Sequence, residues 1–525
     1  MSHITLVRPP MIVVREVPSR SCVPPIGLAY LAASLIASGH DVKAIDAVGE
    51  SIFQVYPVNG GKHFAHGLKL DNVVDLIPME TDFIGVSCMF SHEWPITRDV
   101  IQMIRHRFPK TPIIVGGEHA TATAEITLTM TPEIDYLVLG EGELIFPRLI
   151  AALACNESVS GMESVLSHEN SKRPTLDRGP VDRALHDTRI QDVDEIPTPA
   201  WDLFPLKSYL DNGFGHGVQG RRSLPFLATR GCPYQCTFCS SPQMWTTRYV
   251  TRQPSSVTEE MEGYIRTYNV RNFGFCDLTT VIRKDWIVDF CKQVIDRKLD
   301  ITFQFPNGTR SEAIDGEVSH LLYRAGCRTI YYAPESGSPT VLKRIKKAVR
   351  LDSMKLSMKQ TIGEGIIVKA NMIIGFPGET HREVWQTLKF LAQMAWLGVH
   401  DVTITGFIPY PGSELFNELL VSRKIEHYDD EYLWSLSTTS NAQRTISSSE
   451  HITSAALHRY KMFGLCFFYA VSYLHRPWRF LRILYNIATG RPDESRMESA
   501  LRTLFRKAFF SRRPPQIVTV PPKAR

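Results

Sequence analysis

Nowhere does this chain carry the roughly 18 consecutive apolar residues that a membrane-crossing helix requires. The longest apolar run, near Gly464 to Leu474, falls well short, so no transmembrane helix is expected. Nor does the chain open on the basic-then-apolar pattern of an export leader. Met1 to Val14 reads instead as a strand ending in Pro9-Pro10, and a cytoplasmic protein is expected. Cysteine is sparse, ten in 525 residues, and outside one tight group the thiols are scattered, which argues against a disulfide framework. A structural zinc site would want a second Cys-x-x-Cys element, and none is present. What remains is an ordinary globular composition, 43% hydrophobic and 22% charged, long enough for two or three domains. The net charge of +5 is unevenly spread: Leu465 to Arg525 holds twelve Lys or Arg against three acidic residues, so the basic character is local to the C-terminus.

The fold class expected is α/β. Short, nearly continuous apolar runs at Ile4–Val7, His40–Ala47, Phe83–Met89, Ile113–Val115 and Tyr136–Leu139, with a helix over Gly27–Ser38, predict a doubly wound parallel sheet over residues 1–155. Ligands of such sheets bind beyond the carboxyl ends of the strands. There the sequence places Ser87, the turn Gly116-Gly117-Glu118-His119 and the turn Gly140-Glu141-Gly142-Glu143. Residues 156–220 are polar and turn-rich, and read as a connector. Alternation resumes over 221–425, with strands at Leu224–Ala228, Phe273–Cys276, Ile301–Phe305, Thr329–Tyr332, Ile367–Ile374 and Asp401–Phe407. Six such units predict a partial βα barrel, with its chemistry at the strands' carboxyl ends. Residues 426–525 are expected to be helical and basic.

Thr229-Arg230-Gly231-Cys232-Pro233-Tyr234-Gln235-Cys236-Thr237-Phe238-Cys239 follows directly on the first barrel strand. Gly231 and Pro233 turn that loop away from helix and strand alike. Three thiolates spaced four and then three apart can bind three irons of a cubane and leave the fourth open. Three buried thiols acting as small hydrophobes are the bland alternative, and zinc the sharper one.

Cys-x-x-x-Cys-x-aromatic-Cys at this place resembles the radical S-adenosylmethionine (SAM) superfamily. Later segments follow in the order of that family: Glu335-Ser336-Gly337-Ser338, then Asn371 to Glu379 with Gly375 and Pro377, then Pro409-Tyr410-Pro411-Gly412-Ser413. The resemblance implies a 4Fe-4S cluster on Cys232, Cys236 and Cys239. It also implies SAM contacts through Glu335 and Ser336 at the ribose, and through Gly375 and Pro377 near the adenine. Arg310 and Asp277 also fall at strand ends facing the expected site.

Pro24 to Ala32, Gly39-His40-Asp41-Val42, and the Gly116 and Gly140 turns together resemble the cobalamin-binding domain that precedes many radical SAM barrels. Cobalamin contacts are then expected at Ser87, Gly116, Gly117, His119, Glu141 and Gly142. His119 is about as readily a structural histidine. No Asp-x-His-x-x-Gly occurs, so the histidine that ligates cobalt from below in other cobalamin proteins has no counterpart. Gly215 to Gly220 spells Gly-x-Gly-x-x-Gly, but without a strand before it or a helix after it, and is set aside.

Between His475 and Phe510, Arg476, Arg479, Arg482, Arg502, Arg506 and Lys507 alternate with aromatic and aliphatic residues. That pattern suits either a helix packed on the barrel or an interfacial segment at the inner face of a membrane. No recognised nucleic-acid module accompanies the charge, and no nucleic-acid partner is expected. Taken whole, the chain is similar to the hopanoid C-3 methylase branch of cobalamin-dependent radical SAM methyltransferases. That implies a small-molecule or lipid substrate and a reducing electron donor such as flavodoxin or ferredoxin. Two other functions are compatible with the motifs: an oxidoreductase or cyclase of the anaerobic magnesium-protoporphyrin ester type, and a non-catalytic cobalamin or cluster sensor.

Overall fold

A computed structural model describes residues 1–14, 22–169, 188–215, 222–437, 445–489, 495–498 and 501–502. The first sheet is built from β1 (His3–Arg8), β3 (Asp41–Asp46), β6 (Phe83–Ser87), β7 (Ile113–Gly116), β8 (Tyr136–Val138) and β9 (Val165–Leu166), in the spatial order β3-β1-β6-β7-β8-β9. All neighbours are parallel except β8 and β9. Strand order reverses at β1, and there the crevice beyond β1 and β6 opens, the usual ligand position of a doubly wound sheet. The helix Ile26–Ala37 buries Leu28, Ala29, Ala32 and Leu35 against one face. The helix Trp94–Arg107 covers the other face with Val100, Ile101 and Ile104.

The opening segment is two strands rather than one. The prolines at 9 and 10 supply no N–H, β1 stops at Arg8, and β2 (Met11–Val13) leaves to pair antiparallel with β5 (His63–His66), which also pairs with β4 (Val55–Val58). The stretch read as a connector supplies β9 and the helix Leu206–Asn212, whose Tyr209 is buried and hydrogen-bonds Asp46 Oδ2 at 2.6 Å. The Gly-x-Gly-x-x-Gly letters fall largely on 216–220, outside the described residues.

The second sheet runs in sequence order: β10 (Ser223–Phe226), β13 (Asn272–Phe275), β14 (Thr302–Thr309), β15 (Cys327–Glu335), β16 (Ile367–Ile374) and β17 (Asp401–Gly406), every pair parallel. A parallel sheet wound in one direction without reversal is the partial barrel expected. The short strands β11 (Thr229–Arg230) and β12 (Val250–Thr251) pair antiparallel beside the cysteine loop. Phe226, Phe273, Phe275, Phe290, Phe303 and Phe305 are fully buried between strands and helices, each stabilising the fold by about 1.5–3 kcal/mol. The helix after β16, His381–Leu397, opens on a Thr380/Glu383 capping box and closes on Gly398 in the left-handed conformation.

The C-terminal region is helical over Asp430–Leu436, Ser454–His475 and Trp478–Thr489. The first of these returns to the N-terminal sheet, where Asp430 accepts both ends of Arg98 (2.8 and 2.7 Å) and Leu433 and Leu436 join its core. Ser454–His475 packs on His381–Leu397, and a Cβ at Gly464 would lie 2.9 Å from Leu388. Two of the tail cations have structural work: Arg476 and Arg479 donate to the carbonyls of residues 395–399, the C-terminal end of His381–Leu397. Along Trp478–Thr489, Trp478 (60%), Leu481 (66%) and Tyr485 (52%) are exposed. Arg506 and Lys507 lie outside the described residues, and no helix among those described is long and apolar enough to cross a membrane.

Candidate functional site

The carboxyl ends of both parallel sheets face one another, and the cysteine loop lies between them. Its start is fixed from within the barrel. Asp277, buried just after β13, accepts with one carboxylate oxygen from Ala228 N (3.0 Å), Thr229 N and Thr229 Oγ1 (2.6 Å). Gly231 then turns at φ +83°, and a Cβ there would lie 1.9 Å from the Arg248 carbonyl, so no other residue fits. Thr237 is held on both sides, by its N–H to Ile345 O (3.1 Å) and by its carbonyl to Leu415 N (2.9 Å). Arg310 stacks 3.9 Å over the Tyr234 ring and donates to Ala348 O.

Cys232, Cys236 and Cys239 are each part-exposed and free of disulfides. Burial pushes all three thiols up, Cys239 to about 11, while the Lys347 ammonium and the Arg310 guanidinium oppose that rise at Cys232 and Cys236. Among the described residues no three His, Cys, Asp or Glu side chains converge on a single ion. A cubane asks for something else, one thiolate per iron with cations nearby to balance its negative charge, and this donor set fits it.

Several polar atoms on the loop and within the barrel are buried without partners. Asp277 Oδ2, Thr237 Oγ1, Thr279 Oγ1, Gln304 Nε2 and Arg310 Nε all lack a hydrogen bond. Phe303 packs on Phe290 and Phe305 on Phe275, so by strand alternation Gln304 points the other way, into the barrel. Orphaned buried groups on the cysteine loop and in the barrel beneath it call for a polar ligand, and a zwitterionic nucleoside such as SAM suits them.

Glu335, expected at the ribose, is buried at φ +63° and paired with Lys347 Nζ at 3.0 Å. Burial raises its carboxyl and the Lys347 charge opposes it. Ser336 is fully buried and shares a hydrogen bond with Thr387 Oγ1 (3.1 Å), which also accepts from Gly337 N. Gly375 turns at φ +88°, its N–H given to Glu379 Oε2 at 2.5 Å, and a Cβ on it would strike Leu457 of Ser454–His475. Its missing side chain makes room for that helix. Pro377 accepts from Arg344 Nη1 at 3.4 Å.

On the N-terminal side, Ser87 is half-buried at the end of β6, and the following Met89 and Phe90 are 43% and 49% exposed beside the sheet's switch point. Gly117, at φ +111°, brings its backbone so near Cys88 that a Cβ would lie 2.3 Å from the Cys88 carbonyl; Gly116 sits beside Val138. Bare backbone and exposed apolar side chains at a switch point fit the broad, flat face of a corrin. His119 does not point there. It is buried, with Nδ1 on Ser91 Oγ (3.0 Å), Nε2 on Thr123 Oγ1 (3.3 Å) and its ring stacked on Trp94. Burial lowers its pKa to about 3, which keeps it neutral. Glu141 is likewise turned inward: its two oxygens take Arg230 (2.9 Å) and Arg189 (3.0 Å), and one also takes Ile190 N (2.8 Å). Gly142 begins the helix Gly142–Ala154 against Leu31.

The two halves are pinned across the site. Ser240 Oγ donates to Glu118 directly after Cys239, Ser91 N donates to the Tyr410 hydroxyl at 3.2 Å, and the Gly412 turn lies against Ala122 and Ser240. Lys347 and the Glu118–Ser240 contact were not singled out from the sequence, and Tyr410 stood there only as part of the Pro409–Ser413 turn. A lysine twelve residues beyond Glu335 carries no local signal, and the cross-domain contacts appear only once both sheets are assembled.

Two family models match, the B12 binding domain over residues 12–150 and the radical SAM superfamily over 226–391. The chain is 30% identical to the uncharacterized methyltransferase PH0819 of Pyrococcus horikoshii, across 77% of this chain and 81% of that protein. The chain belongs to the cobalamin-dependent radical SAM methyltransferase family. Its cofactors are accordingly a 4Fe-4S cluster, SAM and cobalamin, and it is an enzyme. Less similar relatives match as well. The anaerobic magnesium-protoporphyrin IX monomethyl ester cyclase of Synechocystis is 26% identical over 74% of this chain and 72% of its own. The hopanoid C-3 methylase of Methylococcus capsulatus is 22% identical over 74% and 67%. Among solved structures, the radical SAM methyltransferase TsrM of Kitasatospora setae superposes with a TM-score of 0.61 over 80% of this chain and 76% of its own, at 18% identity. That likeness shows the shared fold.

Proposed function

We propose that this chain adds a methyl group to an unactivated carbon of a small or lipid-like substrate, at the junction of its two parallel sheets. When bound, the three cofactors supply reductive cleavage of SAM to a hydrogen-abstracting radical and a methyl group that can be handed to a carbon lacking a lone pair. The chain's own part is binding, positioning and exclusion of water. Cys232, Cys236 and Cys239 hold the cluster, with Lys347 and Arg310 balancing its charge. Asp277 and Gly231 fix where that loop sits. Glu335 and Ser336 lie beside it, where the SAM ribose would rest. Ser87, Gly116 and Gly117 offer backbone and small side chains to the corrin; His119, Glu141 and Gly142 hold the surrounding turns in shape rather than reaching it.

The observation that carries this reading is the Glu118–Ser240 hydrogen bond. It ties the Gly116-Gly117 turn to the residue after the third cysteine, so that a cofactor resting on that turn would face the cluster loop. A purely radical reaction would not require that apposition. A lipid of the hopanoid kind is the substrate class favoured, because the exposed apolar stripe on Trp478–Thr489 would let the protein rest at the inner face of a membrane where such substrates reside. The cyclase reading is retained because a relative of that name matches across three-quarters of the chain.

Anaerobic incubation of the reconstituted protein with lipid extract and SAM carrying a trideuterated methyl group tests the proposal. A product heavier by one labelled methyl, together with 5′-deoxyadenosine, is expected. A product gaining oxygen or a ring without label would favour the cyclase, and absence of 5′-deoxyadenosine would leave only a sensor.

A further inference from the structure

The cysteine loop is roofed on one side by the N-terminal sheet, through Glu118 and the Gly412 turn. Its other side is different. There it is covered by one stretch of chain, Arg344 to Arg350: Ile345 O accepts from Thr237 N, and Lys346 O lies 3.9 Å from Cys236 Sγ. The outer face of the same stretch, with Lys347 and Ala348, forms the floor of an open cleft of about 950 Å3 between it and His381–Leu397. The cleft is strongly cationic. Lys343, Lys347, Arg350, Lys355 and Lys389 line it, against Glu312 and Asp352. Lys347 and Lys355 are neutralised by Glu335 and Asp352, whereas Lys343, Arg350 and Lys389 are exposed and make no ion pair within 4.0 Å among the described residues, Arg350 sharing the field of Asp352 with Lys355.

We infer that this cleft is the docking surface for a small acidic one-electron carrier protein, of the flavodoxin or ferredoxin kind, which reduces the cluster from behind. The inference rests on the functional reading above, since only a cluster that must be reduced needs such a donor. Charge complementarity suits a brief encounter of this sort, in which opposed potentials steer association and the contact itself is small. The electron count is simple: the carrier loses one electron, the cluster gains it, no bond is made and no proton has to move. The cleft is the place where a carrier approaches the thiols through a single segment of chain, without displacing the N-terminal sheet.

The test is the triple variant Lys343→Glu, Arg350→Glu, Lys389→Glu in the reconstituted full-length protein. Cluster reduction is followed by bleaching of its visible absorbance, driven either by dithionite or by flavodoxin with its reductase and NADPH. The flavodoxin-driven rate should fall by at least about tenfold in the variant, and in the wild type it should fall steeply with added salt. The dithionite-driven rate should stay unchanged. A flavodoxin-driven rate equal to wild type overturns the docking surface, as does a wild type that flavodoxin fails to reduce. Equal losses with both reductants also overturn it, by showing that the three cations act on the cluster or the fold. A wild type that is reduced normally yet releases no 5′-deoxyadenosine sinks the functional reading while the docking surface stands.

Discussion

Glu141 offers the sharpest perturbation of the junction between the two halves. Its side chain is fully buried, and its oxygens bind Arg189 at 3.0 Å and Arg230 at 2.9 Å, whose own side chains are 1% and 4% exposed. Arg230 has a second partner in Glu143 at 2.5 Å, but beyond its ion pair with Glu141 the Arg189 guanidinium makes a single hydrogen bond among the described residues, from Nη1 to the Trp245 carbonyl. Glu141→Met therefore strands a buried guanidinium. Removing one partner of a buried pair costs about 3–5 kcal/mol, whereas replacing both by apolar groups is close to neutral. The double variant Glu141→Met, Arg189→Met should thus recover much of what the single variant loses. The coupling is read from a double-mutant cycle on the first denaturant transition, because a chain of this size need not unfold in one step. Arg283→Ala is the control: its partner Asp285 and Arg283 itself are 67% and 57% exposed, and its loss should cost no more than about 1 kcal/mol. A Glu141→Met loss as small as that control, or a double variant no better than the single, would refute the claim that this network holds the junction.

Gly231→Ala should lower iron incorporation while far-ultraviolet circular dichroism remains that of the wild type, since the new Cβ meets the Arg248 carbonyl at 1.9 Å and Arg189 Nη2 at 3.2 Å, both beside the cysteine loop. Normal iron content in that variant would mean the loop is not fixed there. His119→Phe should lower thermal stability by about 1–3 kcal/mol, through the Ser91 hydroxyl left unpaired while Thr123 Oγ1 keeps its bonds to His119 O and Thr127 Oγ1, and leave the absorbance spectrum of bound cobalamin unchanged. A shifted cobalt spectrum would place the imidazole at the cofactor after all. Glu379 is fully buried, and burial holds its carboxyl at about 7 against an ordinary 4.5, so the folded chain keeps that proton more tightly than the unfolded one. Its contribution to stability is complete below pH of about 4.5 and is lost as pH rises through about 7. Glu379→Gln should flatten that part of the stability profile, and an unchanged slope would assign it to another group.

The regular parts of both sheets were legible because strand and helix periods differ and the apolar runs are bounded by turn residues. Strand Ile367–Ile374 falls where the sequence puts it. The β2-β5-β4 sheet was not legible, because Val55–Val58 and His63–His66 are too short and too mixed in polarity to show a period. In the site, the three cysteines announce themselves by spacing. The turn residues do not. Glycines at strand ends look alike in sequence, yet Gly117 admits a backbone approach to Cys88 while Gly375 makes room for Leu457. His119 and Glu141 likewise stand in ligand-like turns, and only the assembled fold shows their polar atoms already taken by Ser91, Thr123, Arg189 and Arg230.

The cysteine loop itself is tested most directly by metal content. Anaerobically reconstituted wild type should carry about four irons and as many sulfides per chain, with a paramagnetic signal on reduction, and each of Cys232→Ala, Cys236→Ala and Cys239→Ala should lose them. Stoichiometric zinc in the wild type, or iron retained when all three thiols are replaced, would contradict the account.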